Sequence, residues 1–206
     1  MAVLAKEVFA KRVSQVLNPL VVLAIMIVFV VSETVESAAA AVVFVGISLF
    51  FSILIPIAIV VYMLQKGQIG GVFIPQREDR KRPLLLSLPS FMGGVVVLYL
   101  MGAPAQVGAL MVCVAVLGSV AFGVTLWWKV SLHAAGLWAC FAVVVTLWGH
   151  SGWLVVLPAG LVSWSRFVLG VHSKAQIVAG SLMGAGVTFL VFGYVLKTGV
   201  WFDRLF

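Results

Sequence analysis

Charge is what this sequence has least of. Asp, Glu, Lys and Arg together make up 9% of its 206 residues, against about 25% in a soluble domain, which excludes a water-exposed globule. Acidic residues are scarcer still: six Asp and Glu stand against thirteen Lys and Arg, a net charge of +7. Cysteine is nearly absent. Cys113 and Cys140 both sit inside apolar runs, which argues against a disulfide framework or a thiolate metal site and reads as small apolar packing. No basic stretch is interleaved with aromatics as in single-strand binders, so nucleic acid is not an expected partner. Repeats, low-complexity tails and signs of a second domain are missing too, leaving one integral membrane domain over residues 1–206.

What the sequence has in quantity is apolar length. Hydrophobic residues make up 64% of the chain, and the mean hydropathy is +1.24. A membrane span needs about 20 mostly apolar residues. Five stretches carry no Asp, Glu, Lys or Arg: 13–32, 37–65, 83–128, 130–165 and 175–196. The third and fourth are too long for one helix, and each is interrupted near its middle, at Gly102-Ala103-Pro104-Ala105-Gln106 and at Gly149-His150-Ser151-Gly152. The expectation is an all-α, multi-pass bundle of six to seven transmembrane helices in the cell membrane, near 14–32, 38–64, 84–101, 107–128, 133–148, 152–168 and 175–196. The first run, behind Lys6, Lys11 and Arg12, shows no small-residue cleavage pattern and reads as a retained span. Trp128 and Trp164 would stand at one interface and Trp148, Trp153 and Trp201 at the other, as an aromatic belt. Gly180 and Gly184 in the last span permit close helix approach.

With seven spans the loops alternate sides. The 77–83 loop, the 129–133 segment and the 165–176 segment then share one side with the N-terminus, and only Lys197 and Arg204 of the thirteen basic residues fall opposite. Basic loops facing the cytoplasm explain part of this bias. They explain Lys129, His133, Arg166 and His172 poorly, because these abut short helices where ionisable groups are costly and usually functional.

Three polar clusters result. Arg77-Glu78-Asp79-Arg80-Lys81-Arg82-Pro83 reads either as a juxtamembrane anchor or as a phosphate clamp, since guanidinium forks match phosphate oxygens. In Lys129-Val130-Ser131-Leu132-His133, Ser131 is a natural N-cap whose following N–H groups form an anion site, with His133 in the first turn. In Ser165-Arg166-x5-His172-Ser173-Lys174-Ala175-Gln176, a helix starting near His172 places Gln176 one turn on, where it orients the imidazole as a nucleophile.

Basic–Arg–Pro, then Ser-x-His, then Ser-Arg-x5-His, in that order, resembles the type 2 phosphatidic acid phosphatase superfamily: helical membrane enzymes that dephosphorylate lipid phosphates and diphosphates and share an active site with vanadium haloperoxidases. The resemblance covers roughly Arg77 to Gly184, with the core at about 77–196. It implies that His172 attacks phosphorus to form a phosphohistidine. By the same resemblance His133 protonates the leaving lipid oxygen and later helps activate water, while Arg166, Ser131 and an Arg of the first cluster (Arg77 and Arg80 being the candidates) hold the phosphate oxygens. It implies a lipid phosphate as substrate and neither metal nor organic cofactor.

The chain departs from the family pattern at three points. The family has a Lys seven residues before the Arg of its Arg-Pro pair; counting back from Arg82 or Arg80 gives Pro75 or Phe73, so Arg77 or Lys129 would have to substitute. Leu132 stands where Gly is usual, and Gln176 where an Asp usually orients the nucleophile. An amide positions a ring through its carbonyl but supplies no charge to an imidazolium. The alternatives are a non-catalytic lipid-phosphate binder or transporter on the same fold, a lipid phosphotransferase, or a channel whose basic face only sets topology.

Overall fold

The computed structural model describes residues 2–71 and 76–201, with side chains from residue 4 onward; Phe73, Pro75 and Arg204 lie outside the described residues. The described chain is helical, without strands. In order come α1 (Ala2–Val16), α2 (Pro19–Thr34), α3 (Ala38–Leu49), a π-helical turn (Phe50–Leu54), α4 (Ile55–Gln65), α5 (Arg77–Leu100), α6 (Ala105–Trp127), α7 (Leu132–Trp148), a 3-10 turn (Gly149–Gly152), α8 (Trp153–Val168) and α9 (Lys174–Thr198).

Among the described residues, five helical stretches are long and apolar enough to cross a membrane: Ala38–Gln65, Arg77–Leu100, Ala105–Trp127, Leu132–Val168 and Lys174–Thr198. The α1–α2 pair, bent by 41°, makes a sixth if counted as one span. The count falls below seven because α7 and α8, of 17 and 16 residues, are each shorter than the ~20 residues a span needs. They pack against one another across the Gly149–Gly152 turn, where Gly149 takes a φ of +61°.

Local chemistry sets the boundaries. The first apolar run is two helices rather than the single expected span. Asn18 Oδ1 accepts from the Leu20 N–H at 2.9 Å, and Pro19, which has no N–H to leave unpaired, opens α2. Lys6, Lys11 and Arg12 therefore lie on a separate helix, α1. The Arg77–Pro83 cluster is likewise helical rather than a loop. Glu78 and Asp79 in the first turn of α5 complement the helix dipole, while Pro83 and Pro89 lie inside the helix, where each removes an i→i−4 hydrogen bond. After α5, Gly102 adopts φ +68°, with Gly102 N–H on Tyr99 O at 3.1 Å and Ala103 N–H on Leu98 O at 3.0 Å. This left-handed helix terminus, followed by Pro104, splits the long third apolar run.

The chain divides into two compact units, Met1–Ile25 with Lys129–Leu190, and Met26–Trp128 with Val191–Phe206. In the first unit, α8 packs on both α1 and α7, burying Ala10, Ala142, Ala159 and Val162 completely. The start of α9 lies flush on α7: a Cβ at Gly180 would come 2.5 Å from the Ser131 carbonyl oxygen, and one at Gly184 2.0 Å from that of Ala135. In the second unit α5 packs on α4 and α6. Ser90 Oγ donates to the Phe51 carbonyl within the π-helical turn, where the widened spacing disturbs the regular ladder. Trp201 is buried there, its Nε1 donating to Ala103 O at 2.6 Å and its ring lying over Gly108. It is therefore a packing residue, not the belt tryptophan its position in the sequence suggested, whereas Trp128 and Trp153 are exposed. Cys113 and Cys140 are buried in α6 and α7.

Gly184→Val should push α9 off α7 and destabilise the protein by about 1–3 kcal/mol. Gly186→Ala, which meets nothing within 4 Å, should not lower the thermal midpoint in detergent and should raise it slightly through helix propensity.

Candidate active site

Six of the residues singled out in the sequence fall in the first unit: Ser131, His133, Arg166, His172, Gln176 and Lys129. They lie on three pieces of chain: the segment entering α7, the last turn of α8, and the loop into α9.

That loop is built by capping. Leu169 N–H reaches Ser165 O and Gly170 N–H reaches Phe167 O, both at 3.0 Å, and Gly170 turns the chain with φ +65°. Helix α9 starts at Lys174 rather than at His172, because Ser173 and Gln176 form a reciprocal capping box. Gln176 N–H donates to Ser173 Oγ at 3.3 Å and Ser173 N–H donates to Gln176 Oε1 at 3.1 Å. The same Oε1 lies 3.2 Å from His172 Nδ1. A backbone N–H can only donate, so the atom it meets is the carbonyl oxygen of the amide, and His172 Nδ1 must carry the proton facing it. In the neutral ring, Nε2 is then the nitrogen with the lone pair. The ring is 5% exposed, which removes it from bulk water.

The segment before α7 docks on this loop. Lys129 Nζ donates to Val171 O at 2.8 Å, next to His172 in sequence, and Ser131 N–H donates to the Gln176 backbone carbonyl at 3.2 Å. Ser131 is the N-cap of α7, its Oγ accepting from Ala134 N–H at 3.4 Å, and is fully buried. His133 occupies the second position of α7, half-buried, with Nε2 shielded from solvent. Arg166, half-buried in the last turn of α8, donates from Nη1 to Ser14 Oγ at 2.6 Å. Lys174 lies over the Phe167 ring at 5.4 Å and spans the loop between α8 and α9.

The first cluster belongs to the other unit. There Glu78 forms ion pairs with both Arg77 and Lys81, and Arg77 Nη1 also reaches Leu126 O at 3.4 Å. Arg80 is half-buried and Arg82 exposed. Two cations of this cluster are thus already engaged with a carboxylate. Among the described residues no group of three His, Cys, Asp or Glu side chains converges as a metal site.

Compared with family models, with curated proteins and with solved structures, the chain matches none.

Sequence reasoning missed two partners. The hydrogen bond from Lys129 to Val171 joins residues 42 apart and that from Arg166 to Ser14 residues 152 apart, and no local pattern announces either. The capping box was legible as Ser-x-x-Gln.

Gln176→Ala should remove the cap and release His172, lowering stability by about 1 kcal/mol, while Gln176→Glu should retain wild-type stability because it keeps the acceptor. Nitrogen-15 shifts of the His172 ring should report the Nδ1–H tautomer in wild type and its loss in Gln176→Ala.

Proposed function

We propose that this protein is a membrane lipid phosphatase of the type 2 phosphatidic acid phosphatase kind, hydrolysing a phosphate monoester or diphosphate of a lipid through a phosphohistidine. The observation that carries the reading is His172 itself. It is a buried imidazole whose Nδ1 is held by Gln176 Oε1 at 3.2 Å, which leaves Nε2 as the nucleophilic atom.

In the mechanism, the His172 Nε2 lone pair attacks phosphorus as the bond from phosphorus to the lipid oxygen breaks. His133, protonated, gives its proton to that oxygen, so a monoester releases the neutral lipid alcohol and a diphosphate releases the lipid monophosphate. Water then attacks the phosphohistidine, passing a proton to His133; the P–N bond breaks, inorganic phosphate leaves, and both imidazoles are restored. Arg166 and the N–H groups opening α7 hold the equatorial oxygens, where charge concentrates. Ser131 acts chiefly by capping that turn and keeping those N–H groups in place. Gln176 orients the nucleophile as a neutral dipole, and the phosphoimidazolium gains no opposing charge from it. If an alcohol replaces water in the second step, the same intermediate makes the protein a phosphotransferase.

A second reading, lipid-phosphate binding or transport without turnover, is favoured by that missing charge. Purified protein in detergent should release phosphate from at least one of phosphatidic acid, phosphatidylglycerol phosphate and a prenyl diphosphate. His172→Ala should abolish release, and His133→Ala should slow it by about 10²–10⁴-fold. Folded wild-type protein that releases nothing from the whole panel would turn the assignment to binding or transport.

A further inference from the structure

We infer that Ser14, on the N-terminal helix α1, is a positioning residue for the Arg166 guanidinium; the inference rests on the phosphatase reading. Helix α1 packs on α8, burying Ala10 at 0% and Ser14 at 6% exposure. These residues are four apart and so share one face, and both are small enough to let the two helices approach closely. Phe9 and Trp164 brace the same pair, with ring centroids 5.9 Å apart.

Ser14 carries the only hydroxyl in α1, and it sits on this packed face, accepting from Arg166 Nη1 at 2.6 Å. An arginine side chain has four rotatable bonds before its rigid fork, and the fork binds phosphate oxygens only when its plane is set. A short, shielded hydrogen bond to one nitrogen of the fork sets that plane. Such charge-assisted bonds are among the stronger ones a protein makes. Helix α1, outside the region that carries the three motifs, thereby becomes part of the phosphate clamp.

The test is a double-mutant cycle on the purified protein, read as kcat and KM for the lipid phosphate it turns over fastest and as inhibition by orthovanadate. Ser14→Ala should lower kcat/KM and vanadate affinity on the order of tenfold while its thermal midpoint stays near wild type. Ser14→Thr, which keeps the hydroxyl, should recover most of the loss. In an Arg166→Lys background, Ser14→Ala should cost nothing further, because the residue through which it acts has already lost its fork. Unchanged kinetics in Ser14→Ala, or an equal further loss in the Arg166→Lys background, would overturn the role of Ser14 while leaving the phosphatase standing. Wild-type protein that neither turns over lipid phosphates nor binds orthovanadate would overturn the phosphatase reading, and this inference with it.

Discussion

Helix α9 touches the carbonyl side of α7 at Gly180 and Gly184, so closely that a methyl group at either position would collide with the Ser131 or Ala135 oxygen. In a bilayer, where lipid tails are as apolar as side chains, this backbone-to-backbone approach is what holds helices together. The rest of the candidate site depends on it. With α9 against α7, the Gln176 carbonyl receives the Ser131 N–H, Lys129 reaches Val171, and the loop carrying His172 is fixed against the segment carrying His133.

Helix capping ties down several of the polar groups at this end. Ser131 caps α7; Ser173 and Gln176 cap α9. The Ser131 cap is buried, where an unpaired N–H would be costly, whereas the Ser173–Gln176 cap is exposed. Gln176 joins this capping work to the orientation of His172 through one oxygen that accepts from both Ser173 N–H and Nδ1–H. An aspartate, one methylene shorter, would supply charge to the imidazole but reach less far around the cap. The neutral residue suits a capping box, and the chemistry inherits its neutrality.

The second unit solves a different problem, keeping polar backbone covered where the helices are irregular. The π-helical turn at Phe50–Leu54 frees the Phe51 carbonyl to accept from Ser90. At the Ala103 turn, Trp201 supplies the donor, and its ring takes the space that Gly108 leaves open. The cationic start of α5 is tempered by Glu78, which bridges Arg77 and Lys81.

Much of this was legible from sequence by itself. Apolar runs and their breaks located the helices at α3–α4, α6, α7, α8 and α9 to within a few residues, because lipid solvation demands long apolar segments and because Gly102, Pro104 and Gly149 favour ending a helix. Ser131 could be recognised as a cap for the same local reason. The split at Asn18-Pro19 and the helical start of α5 at Arg77 were misjudged, since the first turns on a local Asn-Pro helix start and the second lies in a charged segment, neither of which a hydropathy pattern registers. Tertiary structure alone decided that Trp201 is buried over Gly108, that Lys129 holds the loop before His172, and that Arg166 meets Ser14. Each of these pairs residues far apart in the chain. Local propensity acts over one or two turns, so contacts of this kind exist only once the helices have packed.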